Sequence, residues 1–569
     1  MQPRNMIESP LPVSREEMES RGWDRCDIIL VTGDAYVDHP SFGIALIGRF
    51  LESLGYRVGV IARPRAGNAG EQDLESLGLP RLFWGVTGGN VDSMVTKYTA
   101  AGRLRHDDAY SPGGKAFIEE SEGVSRPVRP DRAASAYTSA IRQIHKGAVI
   151  VLGGIEASMR RLSHWDFYQS KIRHSILVDS KGDIIVYGMG ERAVREIARR
   201  IREGEPLGGI PGTVLRKNKP PREAFRLLPS HEELAASPHL LHRQADALLS
   251  QKKELLVEKD GAWFLCHTPP APPLDRAELD ALYALPFTRR PHPGYLEAIP
   301  AWEMIRYSVT AHRGCAGGCR FCGITFHQGR EIVSRSEESI LEEVRRISAE
   351  KGFPGHITDI GGPSADMYGA RCRRGERDCR RESCLYPSQC PFFESDVPRY
   401  LRLLERASQL VKKVSIGSGL RLDLSLSRAP WRKVIIEKYL SGYLNIAPEH
   451  RSPSVLKFMG KYAPETLENT LSALRREFPR KGLFRIRAYF IAGHPGETEE
   501  GNRETADFIR RYKIRAEAVQ AFTPLPMTRS AAYFASGRDE KGKPLAVPGR
   551  GDAARFKRNL LSSGPGEKN

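Results

Sequence analysis

The chain has 569 residues, of which 27% are charged and 40% are hydrophobic, a balance typical of a globular protein with two or three domains. Lysine and arginine number 87 against 69 aspartates and glutamates, so the net charge of +18 favours an anionic partner, and RNA is a candidate. The sequence contains neither a basic-then-apolar leader nor an apolar run long enough to cross a bilayer. We therefore expect no membrane partner and a cytoplasmic location.

The N-terminal part of the chain alternates between predicted strands and helices. The strands are short apolar runs at 27–32, 57–62, 81–86, 148–154 and 183–187. The helices between and after them are predicted at 42–54, 131–146 and 191–202. Apolar strands that alternate with helices indicate a parallel, doubly wound α/β sheet. We predict a Rossmann-like domain over residues 1–216, with ligands at the carboxyl ends of its strands.

A proline-rich segment follows this domain. Residues 217–300 contain proline clusters at 269–273 and 290–294 and one predicted helix around 232–255. Proline-rich segments form few internal backbone hydrogen bonds, so we predict a connector between domains.

The alternation of strands and helices resumes in residues 301–535. Strands are predicted at 305–311, 356–360, 414–417, 443–447, 485–491 and 518–522. Six strand–helix units predict a partial (β/α)6 barrel, and barrels place their active sites on the loops that follow the strands. The basic residues 536–569 are predicted to be a flexible tail.

Three closely spaced cysteines, Cys315, Cys319 and Cys322, lie in the loop after the first predicted barrel strand. One short loop can direct three thiols onto a single inorganic centre. Because ferredoxin-type clusters take four cysteines, a triplet leaves one iron without a protein ligand, and an open position is what a catalytic metal site needs. A zinc knuckle is the alternative, for which His312 or His327 could supply the fourth ligand.

The triplet, with Phe321 before its last cysteine, resembles the C-x3-C-x2-C signature of radical S-adenosylmethionine (radical SAM) enzymes. The resemblance implies a 4Fe–4S cluster whose open iron binds S-adenosylmethionine. It also implies reductive cleavage of that cofactor to a 5′-deoxyadenosyl radical, with electrons from a flavodoxin- or ferredoxin-type donor.

Later loops resemble other parts of the cofactor site in this superfamily. The predicted cofactor-binding residues are Phe321, Gly361, Gly362, Ser418, Arg421, Ile491 and Gly493. The adjacent glycines resemble a Gly-Gly-Glu region, without its glutamate, whose backbone holds the methionine amino group. The serine and arginine suit ribose or carboxylate oxygens, and residues 490–498 are similar to a stretch whose backbone contacts adenine. The sequence assigns no catalytic residue.

A second group of cysteines lies in a long insertion at about 363–394, with gaps of six, four and five residues between Cys372, Cys379, Cys384 and Cys390. Loops of this length are usually functional or disordered, and a bound metal can replace a core in holding such a loop. The sequence predicts a second metal site and leaves three alternatives open: an iron–sulfur cluster, zinc, or inert thiols in a mobile loop.

Beyond the superfamily, the chain resembles the YgiQ-type radical SAM proteins, an uncharacterised bacterial group. The matching segments are 31–43, 153–162, 187–191, 292–295 and 326–330, with the four later cysteines. The resemblance extends over about 10–535. It implies the fold and the cofactors but no substrate.

The N-terminal domain is similar to the cobalamin-binding domains that are fused to some radical SAM cores. Those domains often carry Asp-x-His-x-x-Gly after the first strand. Here Asp38 and His39 are adjacent and Gly43 follows the histidine by four, so the ligand motif is not intact. This argues against cobalamin ligated by histidine and leaves open cobalamin without that ligand or a vestigial domain.

Two classes of function follow from these patterns. The first is a radical SAM enzyme that acts on an unknown substrate, with RNA modification or methyl transfer as candidate outcomes. The second is a non-enzymatic iron–sulfur or zinc protein that binds RNA or senses redox state. A sensor would not need the cofactor loops of the barrel, which favours the enzyme.

Overall fold

The computed structural model of the chain describes residues 9–65, 68–119, 125–375, 379, 381–440, 442–479 and 485–564. The chain divides into two compact units, Met1–Pro273 with Ala281–Arg306, and Leu274–Asp280 with Tyr307–Asn569. Every helix in the described ranges is too short or too polar to span a bilayer.

The first unit contains a large sheet with helices along it. Its strands are β1 (Ile28–Thr32), β2 (Val58–Ala62), β3 (Phe83–Thr87), β4 (Phe117–Glu119), β5 (Ser125–Pro127), β6 (Ile150–Gly153), β7 (His164–Asp166), β8 (Lys171–Arg173), β9 (Ile184–Val186), β10 (Thr213–Lys217), β11 (Phe225–Leu227), β12 (Leu255–Asp260) and β13 (Trp263–His267). Its helices are α1 (Arg15–Ser20), α2 (Gly43–Ser53), α3 (Asn68–Glu75), α4 (Ser93–Lys97), α5 (Ala133–Ile144), α6 (Gly154–Met159), α7 (Ile176–Ser180), α8 (Glu191–Glu203), α9 (His231–Ala236) and α10 (Leu241–Ser250). They are followed by α11 (Arg276–Tyr283), which crosses the boundary between the units, and α12 (Pro300–Ile305).

The order of the main sheet is β11-β12-β13-β10-β9-β6-β3-β1-β2. Strands β2, β1, β3, β6 and β9 are parallel, and Ile28 of β1 lies between Val58 and Phe83. Helices α2 and α8 contact each other, whereas α5 contacts α3 and α7. This is the doubly wound order 2-1-3-4-5, whose topological switch point lies between β1 and β3. The predicted α/β fold of this part of the chain is confirmed.

Residues 217–300 differ from the predicted connector. Strands β11, β12 and β13 extend the main sheet from this segment, and the helix expected around 232–255 is split into α9 and α10. The reason is the hairpin of β12 and β13, which turns at Gly261 and buries Leu256, Val257 and Leu265. The prolines at 269–273 follow the end of β13 and do not form a connector between domains.

The second unit is built on short parallel strands. Its strands are β14 (Ser308–Thr310), β15 (His312–Arg313), β16 (Val333–Ser334), β17 (His356–Ile357), β18 (Asp359–Gly361), β19 (Arg371–Cys372), β20 (Phe393–Glu394), β21 (Lys413–Val414), β22 (Tyr443–Glu449), β23 (Arg485–Ala492) and β24 (Arg515–Ala521). Its helices are α13 (Gly323–Gln328), α14 (Glu337–Ser348), α15 (Val397–Ser408), α16 (Ala429–Tyr439), α17 (Pro453–Met459), α18 (Pro464–Glu477), α19 (Glu499–Tyr512), α20 (Arg529–Ser536) and α21 (Arg550–Ser563).

The parallel pairs in this unit follow one another in barrel order. Strand β14 pairs with β18, β17 pairs with β21, and β22, β23 and β24 form one sheet. A parallel bridge between Leu420 and Ile446 joins the two halves. The predicted partial barrel is therefore confirmed, and the loops after its strands define one edge.

The segment 536–569 differs from the expected flexible tail. Helix α21 contacts β23, β24 and α19, and its Phe556 and Leu560 are buried in the core of the barrel. The two residues are four apart and therefore lie on one face of the helix, which the basic composition of the segment obscures. Residues 565–569 lie outside the described residues.

Candidate active site

The three closely spaced cysteines lie on the loop between β15 and α13, which follows the first barrel strand. The backbone N–H of Cys315 donates to the carbonyl of Gly329 at 3.1 Å, and that of Cys322 donates to Cys319 at 3.2 Å. Cys322 is the N-cap residue of α13. The loop is thus held at both ends.

Two glycines give this loop its shape. Gly314 and Gly318 have φ angles of 84° and 59°, in the left-handed region. A Cβ atom on Gly314 would lie 1.9 Å from the carbonyl oxygen of Glu331, and one on Gly318 would lie 2.3 Å from that of Glu382. Only glycine fits at either position, so the backbone can fold tightly around the thiols.

The spacing of the thiols distinguishes between two kinds of metal site. Sulfurs that share one zinc ion at about 2.3 Å must lie within about 4.6 Å of one another. In the described part of the chain, no group of three metal-binding side chains within 4.8 Å of one another includes a cysteine. A cluster that gives each cysteine its own iron accepts a wider spacing than a single zinc ion does.

Burial sets the proton affinity of the thiols. Burial and the neighbouring Cys319 raise the pKa of Cys315, and the same two effects raise the pKa of Cys322 to about 12. Arg421 opposes the shift at Cys315. A thiolate at Cys315 or Cys322 therefore needs a positive charge beside it, such as a bound metal ion would supply.

Arg421 lies against the cysteine loop. Its guanidinium is buried and donates to both carboxylate oxygens of Asp423 at 2.8 Å. A Cβ atom on Gly317 would lie 2.9 Å from Nη1. The prediction that Arg421 pairs a cofactor carboxylate stays a prediction, since Asp423 takes one edge of the guanidinium and Nη1 faces the loop.

The adjacent glycines at the end of β18, Gly361 and Gly362, lie close to polar groups. A Cβ atom on Gly361 would lie 2.4 Å from Oγ of Ser418, and one on Gly362 would lie 2.5 Å from the ring of His312. The Ser418 hydroxyl donates to Asp359, a carboxylate that the sequence did not single out. Burial raises the pKa of Asp359. The serine oxygen is thus already engaged, and its predicted contact with a cofactor is not tested.

His312 is the buried polar group that most clearly lacks a partner. Its ring is fully buried, and neither nitrogen has a hydrogen-bond partner among the described residues. Burial lowers its pKa to about 4, so the imidazole is neutral at pH 7. Such a group is uncommon in a native interior and is consistent with a site that takes a polar ligand. It stands three residues before Cys315.

Three of the predicted cofactor-binding residues are Phe321, Ile491 and Gly493, and the last two belong to the stretch predicted to contact adenine. Phe321 and Ile491 pack on the same apolar cluster of Val455, Leu456 and Met459 from α17. Gly493, with a φ of 84°, lies against α21, where an added Cβ atom would meet Ala553 at 2.4 Å. The structure therefore brings two of the three side by side and ties the third to the C-terminal helix.

The last residue of β22 is acidic and has a strained backbone. Glu449 has a φ of 67°, which is unusual for a residue with a side chain and is typical of functional sites. Its carboxylate lies 3.6 Å from Nζ of Lys461, and burial raises its pKa. Lys461 and Tyr462 both donate to the carbonyl of Ala447. Sequence reasoning missed the last two residues because they follow α17 rather than a strand.

The cysteine-rich insertion packs on the loop of the first triplet. The N–H of Cys384 donates to the carbonyl of Ala316 at 3.0 Å, and the hydroxyl of Ser383 donates to that of Gly317 at 2.6 Å. Glu382 pairs with Arg529 of α20. The insertion thus covers one side of the cysteine loop.

The four cysteines of the insertion differ in position. Cys384 and Cys390 are buried in one apolar cluster, and Cys372 lies at the base, where β19 pairs with β20. Cys379 is partly buried. The structure does not gather three of these sulfurs within 4.8 Å of one another, and residues 376–378 and 380 lie outside the described residues. The predicted second metal site is therefore not tested.

The first unit was predicted to bind a ligand at the carboxyl ends of its strands. At the switch point, Asp34 after β1 accepts a hydrogen bond of 2.9 Å from Arg129, which also donates to Asp108 and to the carbonyl of Gly88. All three charged side chains are buried. The three charged side chains at the switch point are thus paired with one another.

His39, the histidine nearest to the cobalamin motif, is also buried. Its Nδ1 accepts from the N–H of Ser41 at 3.1 Å, and its Nε2 has no partner among the described residues. The adjacent Asp38 is paired with Arg49 of α2. The loop that carries Asp38 and His39 therefore belongs to the interior of the unit.

The chain resembles solved structures of a radical SAM methyltransferase, TsrM from Kitasatospora setae. One, with tryptophan and a SAM analogue bound, matches at a TM-score of 0.52 and 15% identity and covers 94% of this chain and 89% of that one. Another, with cobalamin and a [4Fe-4S] cluster bound, matches at a TM-score of 0.51 and 15% identity, with 95% and 91% covered. At this identity the likeness shows the fold alone.

Family comparisons go further. Residues 10–308 match the radical SAM N-terminal family, and residues 309–509 match the radical SAM superfamily. A UPF0313 protein of Geobacter sulfurreducens is 45% identical over 95% of this chain and 90% of its own length. The UPF0313 protein YgiQ of Escherichia coli is 39% identical over 94% of this chain and 80% of its own length. The chain therefore belongs to the UPF0313, or YgiQ-like, family of radical SAM enzymes.

Proposed function

We propose that Cys315, Cys319 and Cys322 bind a 4Fe–4S cluster and that the enzyme uses it to cleave S-adenosylmethionine reductively. The observation that carries the proposal is the glycine-shaped cysteine loop after the first strand of a radical SAM barrel. When bound, the two cofactors supply an electron and a sulfonium whose cleavage gives a 5′-deoxyadenosyl radical and methionine. The non-enzymatic alternative is not favoured, because the family is one of enzymes.

The surrounding residues have separate proposed roles. The backbone at Gly361 and Gly362 would receive the methionine end of the cofactor, with the unpaired imidazole of His312 beneath it. Arg421 would lie beside the cluster and the cofactor carboxylate, and Ser418 would support this edge through Asp359. This division assigns polar groups to the methionine end.

The apolar side of the site has a different proposed role. The surface for adenine would be formed by Phe321, Ile491 and Gly493. Phe321 and Ile491 pack on one apolar cluster, and Gly493 is the first residue of the loop after β23. An apolar wall excludes water from the reacting bond and so protects a carbon radical from side reactions.

The insertion is proposed to carry a second metal site at Cys372, Cys379, Cys384 and Cys390. Support comes from the burial of two of these thiols, Cys384 and Cys390, beside the first cysteine loop. Iron–sulfur and zinc remain the two candidates. A metal content that is unchanged in a Cys379→Ser, Cys384→Ser variant would contradict a second site.

The substrate class and the partners are further parts of the proposal. RNA modification or methyl transfer fits a chain with a net charge of +18, and a flavodoxin- or ferredoxin-type protein would supply the electron. A cytoplasmic location is proposed because cluster ligation needs reduced thiols. We propose no step through cobalamin, and a corrinoid that copurifies after expression with cobalamin supply would contradict this.

The direct test is an assay for 5′-deoxyadenosine after anaerobic reconstitution and reduction with dithionite. The wild-type protein is expected to release 5′-deoxyadenosine and methionine in equal amounts, and Cys319→Ser is expected to release neither. Cys26→Ser is the matched control, because Cys26 is a buried thiol of the first unit with no proposed ligand role. A fully loaded, reducible wild-type protein that releases no 5′-deoxyadenosine would contradict the proposal.

A further inference from the structure

Three side chains with metal-binding atoms meet in the first unit. His174 directly follows β8, His231 is the first residue of α9, and Asp260 is the last residue of β12. One ligand atom of each lies within 4.8 Å of the others. Three distant segments of the chain thus converge on one point.

The two imidazoles and the carboxylate are closely arranged. The rings of His174 and His231 are stacked, with centroids 3.7 Å apart and planes 22° from parallel. Nδ1 of His174 lies 2.5 Å from Oδ1 of Asp260. A metal ion can bind both imidazoles and the carboxylate at once, in place of the direct contact between His174 and Asp260.

The carboxylate is oriented and needs a cation. Asp260 is fully buried, and its Oδ2 accepts a hydrogen bond of 3.0 Å from the N–H of Ser175. A buried carboxylate is costly unless a positive charge accompanies it. The neighbouring His174 is positive only when protonated, and its side chain is 44% exposed, so an ion can enter from solvent on that side.

A second layer of contacts holds the ligands in place. Oγ of Ser163 lies 3.2 Å from Nδ1 of His231, an interaction that orients the ring for ligation through its other nitrogen. The N–H of Gly261, next to Asp260, donates to Glu232, next to His231. The two segments are therefore already fixed to each other without an ion.

We propose that His174, His231 and Asp260 bind one divalent transition-metal ion of the zinc class and so clamp β8, α9 and β12 together. Two imidazoles and one carboxylate suit zinc, with a fourth position open to water, and do not suit magnesium or calcium, which prefer oxygen ligands. This site is independent of the proposed radical chemistry, since all three ligands belong to the first unit.

The test uses the full-length protein, loaded with its cluster under anaerobic conditions, and titrates it with Zn²⁺ by calorimetry. The wild type is expected to bind one more equivalent than His231→Gln, a variant that keeps a polar side chain beside Ser163. His106→Ala is the matched control, since His106 is an exposed histidine of the same unit. It is expected to bind zinc as the wild type does.

A second measurement distinguishes metal bound at this site from metal bound by the cysteines. It also distinguishes loss of the site from loss of folding. Co²⁺ at the proposed site is expected to give ligand-field bands in the wild type that are absent from His231→Gln, without a change in the sulfur-to-cobalt charge-transfer bands. Circular dichroism without added metal is expected to be the same for both proteins. Equal zinc stoichiometry in the wild type and His231→Gln, or cobalt spectra that do not differ between them, would overturn the proposal.

Discussion

A Cβ atom on Gly317 would lie 2.9 Å from Nη1 of Arg421, so the middle of the cysteine loop is fitted against a guanidinium. Asp423 fixes that guanidinium with two hydrogen bonds of 2.8 Å. A fixed positive charge beside Cys315 opposes the rise in the pKa of that thiol and would stabilise the negative charge of a thiolate-ligated cluster. Residue 317, between the first two cysteines, is thus a glycine for a steric reason, and Arg421 lies near it for an electrostatic reason.

Gly317→Ala is predicted to weaken cluster retention. The added methyl group must displace either the loop or the guanidinium, at a cost of about 1–3 kcal/mol. Iron per chain after anaerobic reconstitution and gel filtration is expected to fall several-fold. Gly419→Ala is the control, since a Cβ atom there meets nothing within 4 Å. Equal iron retention in the two variants would show that Arg421 does not constrain the loop.

Ser383→Ala is predicted to expose the cluster to oxygen. The Ser383 hydroxyl donates to Gly317 and accepts from the N–H groups of Leu385 and Tyr386, so its loss releases the insertion from the cysteine loop. Loss of these buried hydrogen bonds costs about 1–3 kcal/mol. The absorbance of the reconstituted cluster is expected to bleach faster in air than in the wild type. The exposed Ser388→Ala is the control and should bleach at the wild-type rate.

Leu560→Ala is predicted to destabilise the second unit. Leu560 is fully buried in the barrel core, whereas the next residue, Leu561, is 42% exposed. Truncation of a buried leucine costs about 2–5 kcal/mol, and truncation of an exposed one changes stability by about 0.5 kcal/mol or less. Denaturant unfolding followed by circular dichroism measures the free energy of unfolding of Leu560→Ala and of its control, Leu561→Ala. Similar midpoints would mean that α21 is not part of the folded core.

Protonation of His494 is predicted to link stability to pH. Its ring is buried between the carbonyl of Pro495 and the hydroxyl of Ser530, with His450 and Glu497 near it, and burial lowers its pKa to about 3. In the unfolded chain this histidine takes up a proton near pH 6.5, whereas in the folded chain it stays neutral there. The contribution of His494 to the free energy of unfolding is therefore complete above pH 6.5. It falls by about 1.4 kcal/mol per pH unit below pH 6.5.

The comparison that isolates this effect is the difference in unfolding free energy between the wild type and His494→Gln. Glutamine keeps a polar side chain but does not titrate, so the advantage of the wild type should shrink steadily from pH 6.5 to pH 4. A difference that stays constant over that interval would mean that His494 is not kept neutral by the fold.

The architecture was largely predictable from sequence because the strands are strongly apolar. The strand predicted at 443–447 is observed at Tyr443–Glu449, and the strand predicted at 27–32 is observed at Ile28–Thr32. Two segments were misjudged because composition hid a local pattern. The hairpin of β12 and β13 stands among prolines, and the apolar face of α21 is surrounded by basic residues.

The candidate site was predictable only where its residues are close in sequence. The cysteine triplet and its glycines lie in one loop, and the loop alone indicates its chemistry. The partners of those residues come from elsewhere in the chain. Asp359 holds Ser418, and Ser383 of the insertion reaches Gly317. His174, His231 and Asp260 come from three segments without any common spacing, so only the fold brings them together.

The central claim is that the cluster held by Cys315, Cys319 and Cys322 has one iron open to S-adenosylmethionine. Electron paramagnetic resonance of the reduced cluster tests it most directly, in a variant whose Cys372, Cys379, Cys384 and Cys390 are all serine, so that one cluster remains. We predict a 4Fe–4S signal that changes shape when S-adenosylmethionine is added. A signal that is the same with and without the cofactor, or the absence of any 4Fe–4S signal in iron-loaded protein, would contradict the account.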